Sequence, residues 1–261
     1  MKKLLTLVAA LIAGAGLVFA APTQVLKIGA TAVPHAEILK LIKDDLAKQG
    51  IDLQITEFTD YVTPNIALSE GQIDANFFQH VPYLETFSAE RGLKLESLVG
   101  VHVEPLGLYS KKIKKIADLK SGSTIAIPND PTNEGRALLL LQTNGLITVN
   151  KAAGLKATIK DITANPKKLQ FKELEAAQLP RTLEDVDASI INGNYALDSG
   201  LNPVKDSLIL EGPKSPYVNI VAIKAGTSKD PRFVALAKAL HSQKVKDFIL
   251  KQYKGGVVPA F

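Results

Sequence analysis

Short β-branched, apolar runs alternate along the chain with segments of helical periodicity, and this alternation constrains the fold more than any other feature. The run at 25–30 is followed by Pro34 and then by Leu39, Leu41, Ile42 and Leu46 at helical spacing. Residues 53–58 alternate as a strand, 61–68 form a helical pattern with Pro64 in its first turn, and 73–78 form a third strand. A β-α-β-α-β order predicts a mainly parallel sheet flanked by helices, with ligands seated beyond the carboxyl ends of the strands. An extended segment at 99–109 leads into a second such series. Its strands are expected at 124–127, 169–174 and 188–192, and Asp130-Pro131 supplies an N-cap and a first-turn proline for the helix through 137–141. Residues 217–223 are again extended, followed by helices near 231–240 and through 254. The simplest accounting is α/β with two lobes: 21–106 with 220–261 as lobe I, 107–219 as lobe II, crossing segments near 104–110 and 214–222, and a cleft between.

Composition removes several functions. The 261 residues contain no Cys, which excludes disulfides, Cys-ligated zinc, iron–sulfur clusters and thiol nucleophiles. Only four of the 31 basic residues are Arg (Arg91, Arg136, Arg181, Arg232), so the surface is lysine-solvated rather than built to grip phosphates, and no nucleic acid is expected as a partner. The basic run from Lys111 to Lys115 is read as a solvated face. There is no Gly-rich phosphate loop, no nucleophile elbow and no zinc-protease motif. The four histidines, His35, His80, His102 and His241, are scattered, with no two at helix-face spacing, so neither a metal nor another cofactor is expected.

At the N-terminus, Lys2 and Lys3 precede an apolar run to Ala21, and Val18-Phe19-Ala20 has the small residues expected before signal-peptidase cleavage. We expect a signal peptide over 1–20, with an uncleaved anchor as the alternative. Its removal takes away two lysines and brings the formal charge from +5 to +3. No cysteine stands there to carry lipid.

Five ordered motifs then carry a resemblance. They are Val33-Pro34-His35-Ala36-Glu37, Asp60-Tyr61-Val62 with Pro64-Asn65, Asn76-Phe77-Phe78-Gln79-His80 with Pro82-Tyr83, Pro128-Asn129-Asp130-Pro131-Thr132-Asn133 with Gly135-Arg136, and Ser215-Pro216-Tyr217-Val218-Asn219. Together they resemble the substrate-binding proteins of methionine ABC importers, the MetQ/NlpA type, over essentially the whole mature chain. The resemblance implies a periplasmic-binding-protein fold whose lobes close on an amino acid and deliver it to a membrane permease with its ATPase. It also implies a monomeric, non-enzymatic protein free in the periplasm, since the family's lipid-bearing cysteine is missing here.

An amino-acid site needs a partner for the carboxylate, acceptors for the ammonium and a slot for the side chain. By similarity Arg136, just past a helix N-terminus, clamps the carboxylate; without the resemblance it would be a surface arginine pairing with Glu134 or Glu173. Similarity places Asn192 and Asn219 at the ligand's polar end with Asn133 nearby, and Tyr61, Phe78, His80 and Tyr83 around the side chain. Phe78 and His80 share a strand face, whereas Phe77 points the other way. Alternatives stay open: Asn192 as a strand-terminal turn, Asn194 as a turn residue, His80 in a structural hydrogen bond near Pro82, and His35 as a helix cap or a ligand contact. An enzyme would use His80 with Asp74 or Glu37 in acid–base chemistry. An adhesin or scaffold would have a cleft without small-molecule affinity.

Overall fold

The computed structural model describes residues 23–212 and 215–261. The expected signal peptide lies outside the described residues, as does part of the second crossing segment.

In chain order the strands are β1 (Gln24–Ala30), β2 (Ile51–Glu57), β3 (Ala75–His80), β4 (Leu95–Val103), β5 (Gly107–Tyr109), β6 (Thr124–Pro128), β7 (Thr148–Val149), β8 (Ile162–Ala164), β9 (Gln170–Leu174), β10 (Ala188–Ile191), β11 (Ser207–Leu210), β12 (Val218–Lys224) and β13 (Val258–Pro259). The α-helices are α1 (Glu37–Ala47), α2 (Thr63–Glu70), α3 (Val81–Arg91), α4 (Pro131–Thr143), α5 (Gly193–Asp198), α6 (Pro203–Asp206), α7 (Pro231–Leu240) and α8 (Gln243–Tyr253).

The alternation produces two α/β lobes. One is built on a six-stranded sheet in the order β13-β4-β12-β3-β1-β2, the other on a five-stranded sheet in the order β11-β5-β10-β6-β9. The expected parallel pairing holds for β1 with β2 and β3, and for β6 with β9 and β10. Between β3 and β4, however, the late strand β12 inserts antiparallel to both. Its run of Ile220, Val221, Ala222 and Ile223 is buried on both faces, as a central strand requires. The extended segment expected at 99–109 is divided: β4 belongs to one sheet and β5 to the other, so residues 104–106 are where the chain crosses.

Each sheet has its own core. In the first, Ile38, Leu39, Ile42 and Leu46 form the buried stripe of α1 and pack with Leu26, Ile28, Phe77 and Val221. Burying each such side chain contributes about 1.5–3 kcal/mol, so this stripe alone is enough to pin α1 to the sheet. In the second, Ala137, Leu138 and Leu141 of α4 lie against Leu108, Ile125, Ile127 and Ile190. Asp130 caps α4 as expected, its side chain accepting from the Asn133 backbone N–H with Pro131 in the first turn.

The helix expected from Tyr61 begins later, at Thr63. Asp60 Oδ1 accepts from the backbone N–H groups of both Val62 and Thr63 at 2.7 Å, which holds the chain in a turn before the helix. Tyr61 therefore sits on a turn rather than on a helix face.

Candidate functional site

The carboxyl ends of β3 and β10, the N-termini of α3, α4 and α5, and the crossing segment at 104 converge on a small, tightly closed cavity between the lobes. Its wall includes all eight expected residues: Tyr61, Phe78, His80, Tyr83, Asn133, Arg136, Asn192 and Asn219.

One part of the wall is aromatic. Phe77 is fully buried in the sheet core and Phe78 faces the cavity, as strand parity predicts. The Tyr61 ring lies 5.8 Å from Phe78 and 5.9 Å from Tyr83, within the range of favourable ring pairs. The Tyr83 hydroxyl donates to the Tyr61 carbonyl at 2.8 Å, and the Tyr61 hydroxyl donates to Asn194 Oδ1 at 2.6 Å. Asn194, expected to be a turn residue, is instead buried in α5 and lines the cavity. Gly193, before it, passes so close to the crossing segment that a Cβ would lie 2.8 Å from Glu104 Cβ.

The remaining wall is polar, and its hydrogen bonds fix its orientation. Asn133 Nδ2 donates to both oxygens of Asp130, at 3.0 and 2.9 Å, so its Oδ1 is the atom that faces His80 and Asn192. That oxygen accepts from Asn192 Nδ2 at 2.9 Å and from His80 Nε2 at 3.3 Å. Because His80 Nδ1 accepts from the Tyr83 backbone N–H, capping α3, the proton belongs on Nε2. His80 thus makes the structural bond near Pro82 and lines the cavity as well. Burial, then the nearby Arg136 charge, lowers its pKa to about 3, which keeps the ring neutral. With Asn192 Nδ2 engaged, Asn192 Oδ1 is a buried acceptor with no partner in the protein. An unpaired buried polar atom costs about 1–3 kcal/mol, so that atom calls for a donor.

Arg136 is buried, and neither locally expected partner holds it. Glu134 accepts from the Ile159 backbone N–H instead. The guanidinium makes a two-pronged pair with Glu211, through Nε at 3.0 Å and through Nη2, while Nη2 also donates to the Glu104 carbonyl at 2.8 Å. The Tyr217 ring lies 4.2 Å from the guanidinium carbon. Arg136 is therefore braced by both crossing segments.

Glu104, which the sequence reading missed, is buried in the cavity wall with two histidines behind it. Its Oε1 lies 2.7 Å from His102 Nε2 and 3.2 Å from His35 Nε2. His35 Nε2 also lies 3.1 Å from Asn219 Oδ1, and its Nδ1 is 2.7 Å from the Thr31 hydroxyl. His35 is thus neither helix cap nor cavity wall; it supports Asn219 and Glu104 from behind. Burial lowers the pKa of His35 to about 4 and of His102 to about 3, so both act as neutral N–H donors. The expectation of scattered histidines is overturned here, since these two rings lie 5.0 Å apart. Their ligand atoms and that of Glu104 fall within 4.8 Å of one another, yet the spacings to Glu104 are those of hydrogen bonds with the imidazole protons in place.

The acid–base pairs of the enzyme reading do not form. Asp74 accepts from the Lys27 backbone N–H and pairs with Arg232, Glu37 accepts from the Tyr253 hydroxyl, and His80 meets only amide partners. Glu104 falls in the run 99–109, read only as extended, and Glu211 lies just past β11, so neither carried a signal beyond its residue type.

Comparison with known proteins places this arrangement in context. The family described as NlpA lipoprotein matches residues 26–261. The D-methionine-binding lipoprotein MetQ of Escherichia coli is 44% identical over 225 residues, covering 85% of this chain and 82% of the relative. The structure of a nutrient binding protein from Burkholderia cenocepacia bound to methionine superposes with a TM-score of 0.88 at 48% identity, covering 90% of this chain and 100% of that one. The lipoprotein Tp32 of Treponema pallidum matches with the same TM-score at 42% identity, over 91% of this chain and all of its own.

Proposed function

The chain belongs to the NlpA lipoprotein family, and from that premise and the chemistry of the cavity we propose that it is the solute-binding protein of an ABC importer, taking up methionine. The observation that carries this reading is the division of one small inter-lobe cavity into an aromatic slot and a polar end holding Arg136 and the unpartnered Asn192 Oδ1. A thioether suits the slot formed by Tyr61, Phe78, His80 and Tyr83, because sulfur–ring contacts add about 0.3–1.5 kcal/mol each. Arg136 meets the carboxylate, while Asn133, Asn192 and Asn219 serve the polar groups of the amino acid. L- or D-methionine, a close relative or a methionyl dipeptide fits this description.

The same reading covers the setting. The protein works outside the cytoplasm, free in the periplasm after loss of residues 1–20, as a monomer, and hands its ligand to a permease with its ATPase in the inner membrane. It binds without catalysing a reaction and without cofactor or metal. Lobe I comprises 21–106 and 220–261 and lobe II 107–219, hinged at the crossing segments. Mass spectrometry of the small molecule released from freshly purified, denatured protein tests the ligand: methionine or a methionyl compound is expected, and a chemically unrelated ligand overturns the reading.

A further inference from the structure

Next to the aromatic slot, three buried amides bond to one another. Asn65 Nδ2 donates to Gln79 Oε1 at 2.9 Å, and Asn65 Oδ1 accepts from Asn76 Nδ2 at 2.8 Å and from Gln79 Nε2 at 2.7 Å. Gln79 Nε2 also donates to Asn76 Oδ1 at 2.8 Å, and Asn76 Nδ2 to the Pro64 carbonyl at 3.2 Å. Every nitrogen and oxygen of the three side-chain amides is thus partnered, and none of the three residues is more than 3% exposed. Pro64 and Asn65 stand in the first turn of α2, directly after the turn that carries Tyr61. Asn76 and Gln79 stand in β3, on either side of Phe77 and Phe78.

Asn76 and Gln79 are three positions apart, and in a regular strand such residues point to opposite faces. They meet because β3 is bulged. Against β12, Ile220 pairs with Gln79 and the following residue, Val221, pairs with Phe77, so the register skips Phe78. The extra residue shifts the alternation by one and brings both amides to Asn65. The Phe78 ring then stands in the cavity wall, 5.8 Å from Tyr61 and 6.0 Å from Tyr83, while Phe77 lies in the sheet core, 4.6 Å from the His35 ring. Because two phenylalanines stand side by side, apolar burial does not tell the two positions apart. The amides do, since a slip of one residue would strand them without partners.

We propose that Asn65, Asn76 and Gln79 are positioning residues that set this register, so that Phe78 and not Phe77 enters the slot, and that they thereby set the preference for long side chains over short ones. This rests on the amino-acid reading given above and extends it to the residues that hold the slot wall in place. A fully satisfied buried polar network specifies one arrangement among several that bury similar apolar surface. The bonds to Asn65 and Pro64 also tie the start of α2, and with it the Tyr61 turn, to the strand that carries Phe78.

A double-mutant cycle with Phe78, read by calorimetry with methionine and alanine, tests this. Asn65→Ala is expected to weaken methionine about tenfold and alanine by less than about twofold, because a misdirected ring forfeits part of its apolar contact. In a Phe78→Ala background, adding Asn65→Ala is expected to change methionine affinity by less than about twofold, since the ring it directs is gone. The same tenfold loss in both backgrounds, or equal losses for methionine and alanine, overturns the proposal. Gln79→Met keeps the side-chain volume and is the second variant, with the same expectations, should Asn65→Ala fail to fold. NMR of the ligand-free protein adds a readout that needs no binding: ring-to-ring contacts of Phe78 with Tyr61 and Tyr83 are expected in the unaltered protein and lost in the variant. Their retention in the folded variant overturns the proposal. If the unaltered protein binds neither amino acid, the methionine reading fails, and the ring contacts still decide this one.

Discussion

The aromatic slot and the polar end of the cavity are built by different routes. The slot comes from one short stretch of one lobe: Tyr61, Phe78, His80 and Tyr83 lie within 23 residues on a turn, a strand and the helix that follows it. The polar end is assembled from α4, the β10–α5 junction, β12 and the first crossing segment, with contacts such as Arg136 to Glu211 spanning 75 positions of sequence. The aromatic wall can thus be altered by local substitution, whereas the polar wall depends on the whole fold and on both lobes at once.

Acid should break the comparison most, because it acts on the groups around the polar end. The pKa values of His35, His80 and His102 are depressed to about 4, 3 and 3, so the unfolded chain binds protons that the folded chain refuses. Stability should be level above pH 6.5 and fall as pH drops below it, by up to about 2 kcal/mol per histidine at pH 5. The raised Glu104 carboxyl works the other way and returns part of that loss. Denaturant melts at pH 7.5 and 5 measure the difference; identical curves would mean that these rings take up protons while folded.

Arg136→Ala attacks the polar end directly. It should weaken methionine binding by about 2–5 kcal/mol in a variant whose circular dichroism is unchanged. Near-wild-type affinity by calorimetry would remove the clamp. At the other end, Phe78→Ala deletes apolar contact worth about 25 cal/mol per Å² and any sulfur–ring contact, so methionine should lose about 2 kcal/mol and alanine much less. Competition across an amino-acid panel reads this, and equal losses would make Phe78 a structural support of the cleft. The smallest effect is expected from Tyr61→Phe, which removes the hydroxyl bonded to Asn194 and keeps the ring. It should cost about 1 kcal/mol for every ligand alike; a loss confined to methionine would place the hydroxyl in the slot.

What the sequence disclosed follows the same division. The slot was legible because strand parity separates Phe78 from Phe77 within two positions, and Asp130-Pro131 announced the helix that carries Asn133 and Arg136. Glu104, Glu211 and Asn194 were not legible. The roles of Glu104 and Glu211 come from where the chain crosses between sheets, and a crossing has no periodicity to read; Asn194, read as a turn residue, lies in the first turn of α5. His35 and His102 are 67 positions apart and meet only because β12 brings Asn219 beside β4 and β3 in register with His102 and His80. The start of α2 was misjudged by two residues because the Asp60 side chain competes with the helix for the same backbone N–H groups.

Three of the hydrogen bonds around the cavity join one lobe to the other through protein atoms alone: His80 to Asn133, Tyr61 to Asn194, and Tyr195 to the Thr59 carbonyl. They hold whatever occupies the space between them, so they weigh on departure more than on recognition. A ligand can leave only after they part, which makes residence time a property of the fastening as well as of the fit. Weakening them one at a time should therefore shorten the dwell of every ligand by a similar factor while leaving the ranking among ligands intact.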